Sequence, residues 1–227
     1  MLLCCATGTK PSSSGASREN QPAFNPKMRI YGMVSADIRV SKPRLPTGHR
    51  LSISSHPEEL ETTISISDGR IFQLRPTRPE DTEALRKLFA ELSHNEIRMR
   101  FLHAMSQVPD RQVTQFIRMD YDWEMSFVLD GAGPSNELEL FGYVQIISDP
   151  DKERSEFAIL VRRDLTGKGI GRLLLEHVIS YARRRGIKEI YGESLVDNKA
   201  MLKLASALRF SFADSGDPES VMMTLSL

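Results

Sequence analysis

The chain has 227 residues, of which 40% are hydrophobic and 26% are charged, as in ordinary globular proteins. Its 30 Lys and Arg residues balance 30 Asp and Glu residues, so no overall field attracts nucleic acid or a membrane surface. The two cysteines, Cys4 and Cys5, are neighbours, which excludes a disulfide framework and a cysteine-rich zinc site. No stretch reaches the roughly 20 apolar residues of a membrane-spanning helix. We therefore expect a cytoplasmic protein without a metal ion, whose function depends on a local site.

Composition divides the chain into three segments. Residues 1–28 are rich in Ser, Gly, Pro, Thr and Asn, and we expect them to be disordered because they offer little to bury. Residues 29–62 contain MVSADIRV, which is typical of a strand, followed by a proline-containing linker. Residues 63–227 carry the regular patterns of one folded domain.

Periodicity and turn residues predict the elements of this domain. Asp68-Gly69 is the preferred dipeptide of a two-residue hairpin turn, and apolar residues after Pro79 recur at helical spacing. The predicted order is a hairpin over 63–67 and 70–74, a helix from Pro79 carrying Leu85, Leu88, Phe89 and Leu92, helices over 95–103 and 110–118, strands over 124–129, 138–147 and 155–161, a helix over 169–185, a strand over 188–194, a helix over 199–208, and strands over 210–214 and 221–225. This order predicts a mixed α/β sheet in one domain.

Alternating glycines connect the strand at 155–161 to the long helix at 169–185. Gly167, Gly169 and Gly171 let main-chain N–H groups approach an anion, and the helix N-terminus adds unpaired donors and a partial positive charge. Lys168 and Arg172 add local positive charge. A plain strand-to-helix turn does not need all of these residues, so the segment predicts a phosphate or diphosphate site.

Two other phosphate motifs fit this loop less well. A Walker loop needs Ser or Thr after its lysine, whereas Lys168 is followed by Gly169. A dinucleotide fingerprint needs Gly-x-Gly-x-x-Gly, and the spacing here is Gly-x-Gly-x-Gly. Glu193 lies where a ribose-binding acid would follow, but only one strand–helix–strand unit is present. Dinucleotide binding is therefore kept only as an alternative.

The segment Thr166-Gly167-Lys168-Gly169-Ile170-Gly171 resembles the acyl-CoA diphosphate loop of the GNAT acetyltransferases, Gln/Arg-x-x-Gly-x-Gly/Ala, with Thr166 in place of Gln or Arg. VDNKAMLKLASALRF resembles a later motif of that family, and the element order agrees over 70–227. The resemblance implies a mixed, mostly antiparallel sheet of six to seven strands, flanked by helices, with splayed central strands. It also implies acetyl-CoA as cosubstrate, held by Ile159, Leu160, Val161, Thr166, Gly167, Lys168, Gly169, Ile170, Gly171, Arg172 and Asn198.

Within this family, five segments resemble the acetyltransferase domain of bacterial Pat-type protein lysine acetyltransferases: LRPTRPED, IRMRFLHAM, MDYDWEM, SEFAILVRRDLTGKGIG and VDNKAMLKLA. This resemblance implies a protein lysine as acceptor, with acyl-CoA synthetases as typical targets. In that group a large synthetase-like region precedes the acetyltransferase, and MVSADIRV resembles its last strand. We therefore expect a truncated or split member.

Acetyl transfer to lysine needs a base, because the amine must be neutral and its ordinary pKa is about 10.4. Glu156 lies in the strand before the glycine loop and corresponds to the proposed Pat-type base, provided that no bulge turns it to the other face. Asp120 and Asp122 are second candidates. The usual tyrosine acid of the family is replaced by Ala205, and a family glycine by Arg209. If position 209 needs a positive φ, arginine costs about 1 kcal/mol there.

These observations predict an N-acyltransferase that moves acetyl directly from acetyl-CoA to an amine, with Glu156 as base and a main-chain N–H stabilising the oxyanion. One alternative is an N-acetyltransferase of small-molecule amines. Another is a non-catalytic, acyl-CoA-binding regulatory module, which would bind CoA without turnover.

Overall fold

The Asp68-Gly69 turn gives the first hairpin of the sheet. The computed structural model describes residues 3–4, 60–66, 68–117, 121–133 and 138–227. Strands β2 (Thr62–Ser65) and β3 (Ile71–Pro76) are antiparallel, which confirms the predicted hairpin. The Ile66 N–H donates to the Arg70 carbonyl oxygen, so the connection has three residues rather than two, with Gly69 at φ +86°. An earlier two-residue strand, β1 (Leu3–Cys4), pairs elsewhere in the sheet.

Helices follow the hairpin where apolar spacing predicts them: α1 (Thr82–Ala90), α2 (His94–Phe101) and α3 (Asp110–Gln115). Pro79–Asp81 forms a 3₁₀ turn that leads into α1. Helix α2 begins with a capping box, in which Ser93 and Glu96 each accept the other's main-chain N–H. It ends earlier than predicted because Leu102 has φ +58°, a left-handed conformation that an α-helix cannot continue.

The remaining elements build a single sheet. They are β4 (Glu124–Ala132), β5 (Leu138–Ser148), β6 (Arg154–Val161), α4 (Ile170–Arg184), β7 (Glu189–Leu195), α5 (Lys199–Ala207), β8 (Ser211–Asp214) and β9 (Ser220–Ser226). The strands lie in the order β2-β3-β4-β5-β6-β7-β9-β8, with β1 added to β6, and only the pair of β6 and β7 is parallel among the described strands. The mixed, mostly antiparallel sheet is confirmed, with nine described strands instead of six or seven.

Helices cover both faces of the sheet, which explains why its central strands are apolar on both sides. On β6, Phe157, Ile159 and Val161 pack in the layer of α4 and α5, whereas Leu160 packs in the layer of α1, α2 and α3. Because side chains alternate along a strand, Glu156 shares the face of Leu160. This alternation decides which side of the sheet can carry the chemistry.

All described residues belong to one unit of the fold. The segments predicted at 1–28 and 29–62 lie outside the described residues, apart from residues 3–4 and 60–62, so the domain boundaries stay a prediction. None of the described helices is long and apolar enough to cross a membrane.

A half-buried histidine of α4 packs against the sheet. The ring of His177 lies edge-on to that of Phe127, with centroids 4.5 Å apart, and within the described residues its Nε2 atom has no hydrogen-bond partner. Burial, and to a lesser extent the charge of Arg184, lowers the pKa of His177 to about 4. The imidazole is therefore neutral in the folded protein at neutral pH.

This lowered pKa predicts a pH-dependent stability. The unfolded chain takes up the His177 proton near pH 6.5, whereas the folded chain resists protonation down to about pH 4, so protonation favours unfolding. We expect the free energy of unfolding to fall by about 1 kcal/mol between pH 7 and pH 5, allowing for the partial exposure of the ring. His177→Gln should remove this decline, and His94→Gln, at an exposed position, should keep it. Urea denaturation at pH 7 and pH 5 checks both, and an unchanged decline in His177→Gln would contradict the assignment.

Arg209 ends α5 in a conformation that suits glycine. Its φ is +66°, which confirms the positive value considered from the sequence. The N–H groups of Arg209 and Phe210 donate to the carbonyl oxygens of Ser206 and Ala205, so the helix closes with a Schellman motif. The arginine side chain is exposed, so it meets no crowding from the core. Any loss of stability at this position therefore comes from the positive φ of its backbone.

We expect Arg209→Gly to raise the free energy of unfolding by about 1 kcal/mol, because glycine adopts a positive φ without strain. Arg209→Ala keeps the Cβ atom that causes the strain and should give no gain. Urea unfolding of the two variants measures the difference, and equal stabilities would mean that Arg209 is not strained.

Candidate active site

Two neighbouring strands separate partway along the sheet. β6 and β7 pair in parallel only from Arg154 opposite Glu189 to Glu156 opposite Tyr191. Beyond that point β6 still pairs with β5, and β7 with β9, but β6 and β7 no longer pair with each other within the described residues. The edge of β6 that faces this gap includes Ile159–Val161, the stretch predicted to hold the pantetheine arm.

Glu156 lies where the two strands separate. The register of β6 against β5 runs without a shift from Ser155 to Val161, so no bulge turns the side chain to the other face. Glu156 is 4% exposed. Its side chain lies on the same face of the sheet as those of Ala158 and Leu160, which is the face covered by α1, α2 and α3. The sequence left the face of Glu156 undecided, and the register settles it. The result is a buried carboxyl group at the closed end of the gap.

Polar side chains lie beside Glu156 on the same face. Gln145 of β5 stands opposite Ala158 and is 2% exposed, and its Nε2 has no hydrogen-bond partner within the described residues. Ser126 stands opposite Gln145 on β4, and its hydroxyl donates to Thr77 Oγ1 at 2.8 Å. A buried donor without a partner is rare in folded proteins. The Gln145 amide is therefore available to donate a hydrogen bond to a group that binds next to Glu156.

The glycine loop between β6 and α4 presents a cluster of main-chain donors. Gly167 and Gly169 have φ +80° and +82°, and outside their chain neighbours no atom would lie within 4 Å of a Cβ at either position. Glycine is therefore needed there for its conformation, not for lack of space. Among the described residues, no hydrogen bond is made by the N–H groups of Gly167, Gly169, Ile170, Gly171 and Arg172. These donors lie at the positive end of a 15-residue helix.

The cationic side chains of the loop are both paired with acids. Lys168 Nζ lies 2.7 Å from Asp68 Oδ2, and Arg172 Nε lies 2.8 Å from Glu176 Oε1. Hydrogen bonds from Arg70 and Lys168 hold the pKa of Asp68 far below its ordinary value, so this acid is ionised. The expected local positive charge is thus partly compensated. The main-chain N–H groups, rather than Lys168 or Arg172, are therefore the unpaired donors that the loop offers.

Helix α2 spans the gap between the C-terminal ends of β6 and β7. On the β6 side, Arg163 Nη2 lies 2.7 Å from Glu96 Oε2. On the β7 side, Arg98 contacts Asp197 at 2.9 Å and Glu219 at 3.2 Å. Exposed ion pairs contribute little stability, but these two sets attach α2 at both sides of the gap. The helix thereby forms one wall of the candidate site.

A second buried carboxyl group, Glu193, lies on the same face as Glu156. Tyr191 stands opposite Glu156, and Glu193 follows it two residues later on β7. Glu193 is 9% exposed and accepts a hydrogen bond from the Ser220 hydroxyl of β9. The sequence suggested only a ribose contact for Glu193. A single acidic residue in a strand does not show on which face of the sheet its side chain lies. Each of the two separated strands therefore contributes one buried carboxyl group.

The other predicted residues have mixed surroundings. Asn198 is 2% exposed and caps α5, its Oδ1 accepting the Met201 N–H at 3.2 Å, so its contact with CoA stays a prediction. Thr166 is exposed, with extended backbone, at the start of the loop. Asp122 is exposed in the turn before β4. Because β5 lies between β4 and β6, and neighbouring strands are about 5 Å apart, Asp122 is roughly 10 Å from β6. Asp120 lies outside the described residues.

Comparison with known proteins identifies relatives of this chain. A model of the acetyltransferase (GNAT) family matches residues 86–210. An acetyltransferase of Pseudomonas aeruginosa is 31% identical over 168 residues, which cover 72% of this chain and 88% of the relative. Acetyltransferase Pat of Mycolicibacterium smegmatis is 27% identical over 192 residues, which cover 83% of this chain but only 53% of the relative. The crystal structure of the GNAT domain of S. lividans PAT has the same fold, with a TM-score of 0.67 at 23% identity over 75% of this chain and 99% of that domain.

These matches agree with the geometry of the site. The family model covers more than half of the chain, including β6, the glycine loop and α4. The Pseudomonas relative matches over most of its own length. The chain therefore belongs to the GNAT family and is an acetyl-CoA-dependent N-acetyltransferase that acts on an amine.

Proposed function

We propose that this enzyme acetylates a lysine side chain of a protein, and that Glu156 is the general base. The observation that carries the proposal is the buried carboxyl group of Glu156 at the point where β6 and β7 separate. The resemblance of five segments to Pat-type protein lysine acetyltransferases supports a protein acceptor, with an acyl-CoA synthetase as the first candidate. Similarity to acetyltransferase Pat over 83% of the chain is consistent with this choice.

The cosubstrate is proposed to run along β6 from the glycine loop to Glu156. Its diphosphate would accept hydrogen bonds from the unpaired N–H groups of 167 and 169–172, with Thr166 and Lys168 beside it. The pantetheine arm would bind the main chain of Ile159–Val161. Val161 lies five positions after Glu156 along β6, a distance of about 17 Å, so the thioester would come to rest at the closed end of the gap.

The chemistry then needs few further groups. Glu156, directly or through a water molecule, accepts a proton from the lysine ammonium, and the neutral nitrogen attacks the thioester carbonyl carbon. A main-chain N–H stabilises the oxyanion of the tetrahedral intermediate. When the carbonyl group re-forms, the carbon–sulfur bond breaks and the extra proton of the new amide nitrogen passes to the departing thiolate. The leaving thiol has a pKa near 8.5, so it departs without a strong acid, which fits the alanine at position 205.

The rim of the gap suits a cationic acceptor. Asp197 and Glu219 share the single guanidinium of Arg98, so this group of three side chains keeps one net negative charge. Their side chains are 54% and 70% exposed, so an incoming ammonium group can reach them. The ammonium of Lys199, 2.8 Å from the Val196 carbonyl oxygen, balances that charge, so the rim would act through these exposed carboxylates as hydrogen-bond acceptors for a lysine on a protein surface.

Isotopically labelled acetyl-CoA tests the acceptor class. We expect the enzyme to release thiol in the presence of an acyl-CoA synthetase, and peptide mass spectrometry to locate the label on lysine Nε atoms of that protein. Thiol release with small amines but no labelled protein would favour the small-molecule alternative. Binding of CoA without thiol release for any acceptor would favour a regulatory module.

A further inference from the structure

Strand β1 occupies the edge of β6 inside the gap. Leu3 is paired antiparallel with Leu160, and Cys4 with Ile159. The opposite edge of β6 is already taken by β5, which pairs with the same two residues. Since a strand has only two edges, β1 lies on the edge that faces β7, and it also contacts β7 and α2.

This edge is the one proposed for the pantetheine arm. Neighbouring residues of a strand direct their main-chain groups to opposite edges, so one of Ile159 and Leu160 presents its N–H and C=O to this edge. Those groups can pair with an added peptide strand or with the amides of pantetheine, but not with both together. We propose that the segment centred on Leu3–Cys4 is an internal competitor of acetyl-CoA, which leaves β6 before the cosubstrate binds. The inference rests on the proposed position of the cosubstrate.

The pairing is short enough to be reversible. Two residue pairs supply few hydrogen bonds, each of small net effect, so a closed form with β1 on β6 and an open form can both be populated. The apparent Kd for acetyl-CoA is then the intrinsic Kd divided by the open fraction. The value of kcat at saturating acetyl-CoA does not change, because the complex formed after displacement is the same.

Proline substitutions in the full chain test the competition. Leu3→Pro/Cys4→Pro removes both main-chain donors of β1 and restricts its backbone. If the closed form holds about four-fifths of the molecules, the Kd of CoA by calorimetry should fall about fivefold, and the KM of acetyl-CoA by the same factor, with kcat unchanged. Leu3→Ala/Cys4→Ala keeps the main-chain donors and should behave as the unmodified protein under the same reducing conditions.

A synthetic peptide of residues 1–8 gives a second measurement that does not depend on folding of the proline variant. It should raise the KM of acetyl-CoA competitively and leave the KM of the acceptor unchanged. Equal CoA affinities in the unmodified protein and the proline variant, or no competition by the peptide, would overturn the internal competitor while leaving the proposed function intact. Failure of both proteins to bind CoA would overturn the proposed cosubstrate position as well.

Discussion

Glu156→Gln is expected to lower kcat by about a hundredfold to ten-thousandfold while the affinity for CoA stays unchanged. Glutamine has the same size and stays compatible with the buried position, but it cannot accept the proton of the lysine ammonium. The cosubstrate is held by main-chain groups that the substitution does not alter. Thiol release measures kcat, and calorimetry with CoA measures binding. Below pH 10.4 the variant's rate should rise about tenfold per pH unit, because the fraction of neutral amine rises by that factor.

Two further substitutions show whether the loss is specific to Glu156. Asp122→Asn changes an exposed carboxylate in the turn before β4 and should leave kcat unchanged. Glu193→Gln keeps an oxygen that can accept the Ser220 hydrogen bond, so the fold should survive. If Glu193→Gln caused the large loss and Glu156→Gln did not, the base would lie on β7 and the assignment of Glu156 would be wrong.

The features that the sequence predicts correctly depend on residues close together in the chain. Gly167 and Gly169 follow an apolar strand and precede an amphipathic helix, and both adopt the positive φ that this context indicates. Arg209 stands where the helix-ending motif requires the same conformation. Such features can be predicted because turn chemistry and capping involve only a few consecutive residues.

Features formed by distant residues could not be predicted in this way. Lys168 is compensated by Asp68, which is 100 positions earlier, so the loop looked more cationic in the sequence than it is. The face of Glu193 depends on the register of β7 against β6 and β9, and one slipped residue would reverse it. Strand β1 has two residues, too few for any periodicity, and its partner lies more than 150 residues away. Register and pairing partners are properties of the assembled sheet.

Gly169→Ala is expected to weaken the binding of CoA about tenfold. At φ +82°, a Cβ atom costs about 1–2 kcal/mol, and a tenfold change in affinity corresponds to about 1.4 kcal/mol. The loop can relieve this strain by rotating its peptides, which turns the N–H groups of Gly169 and Ile170 away from the diphosphate. Calorimetry with CoA measures the loss. S-acetylpantetheine lacks the diphosphate, so its KM should be unchanged in the variant.

Gly186→Ala is the matched control, because Gly186 has φ +75° just beyond the other end of α4, with no atom outside its chain neighbours within 4 Å of a Cβ. The substitution has the same conformational cost, so the free energy of unfolding should fall by about 1 kcal/mol. The affinity for CoA should stay unchanged. An equal loss of affinity in both variants would mean that a weakened α4, not the loop, is responsible, and the assignment of the diphosphate to these N–H groups would be wrong. The two substitutions introduce the same backbone strain at opposite ends of α4. If only Gly169→Ala loses affinity for CoA, the binding of the diphosphate depends on the orientation of the loop peptides.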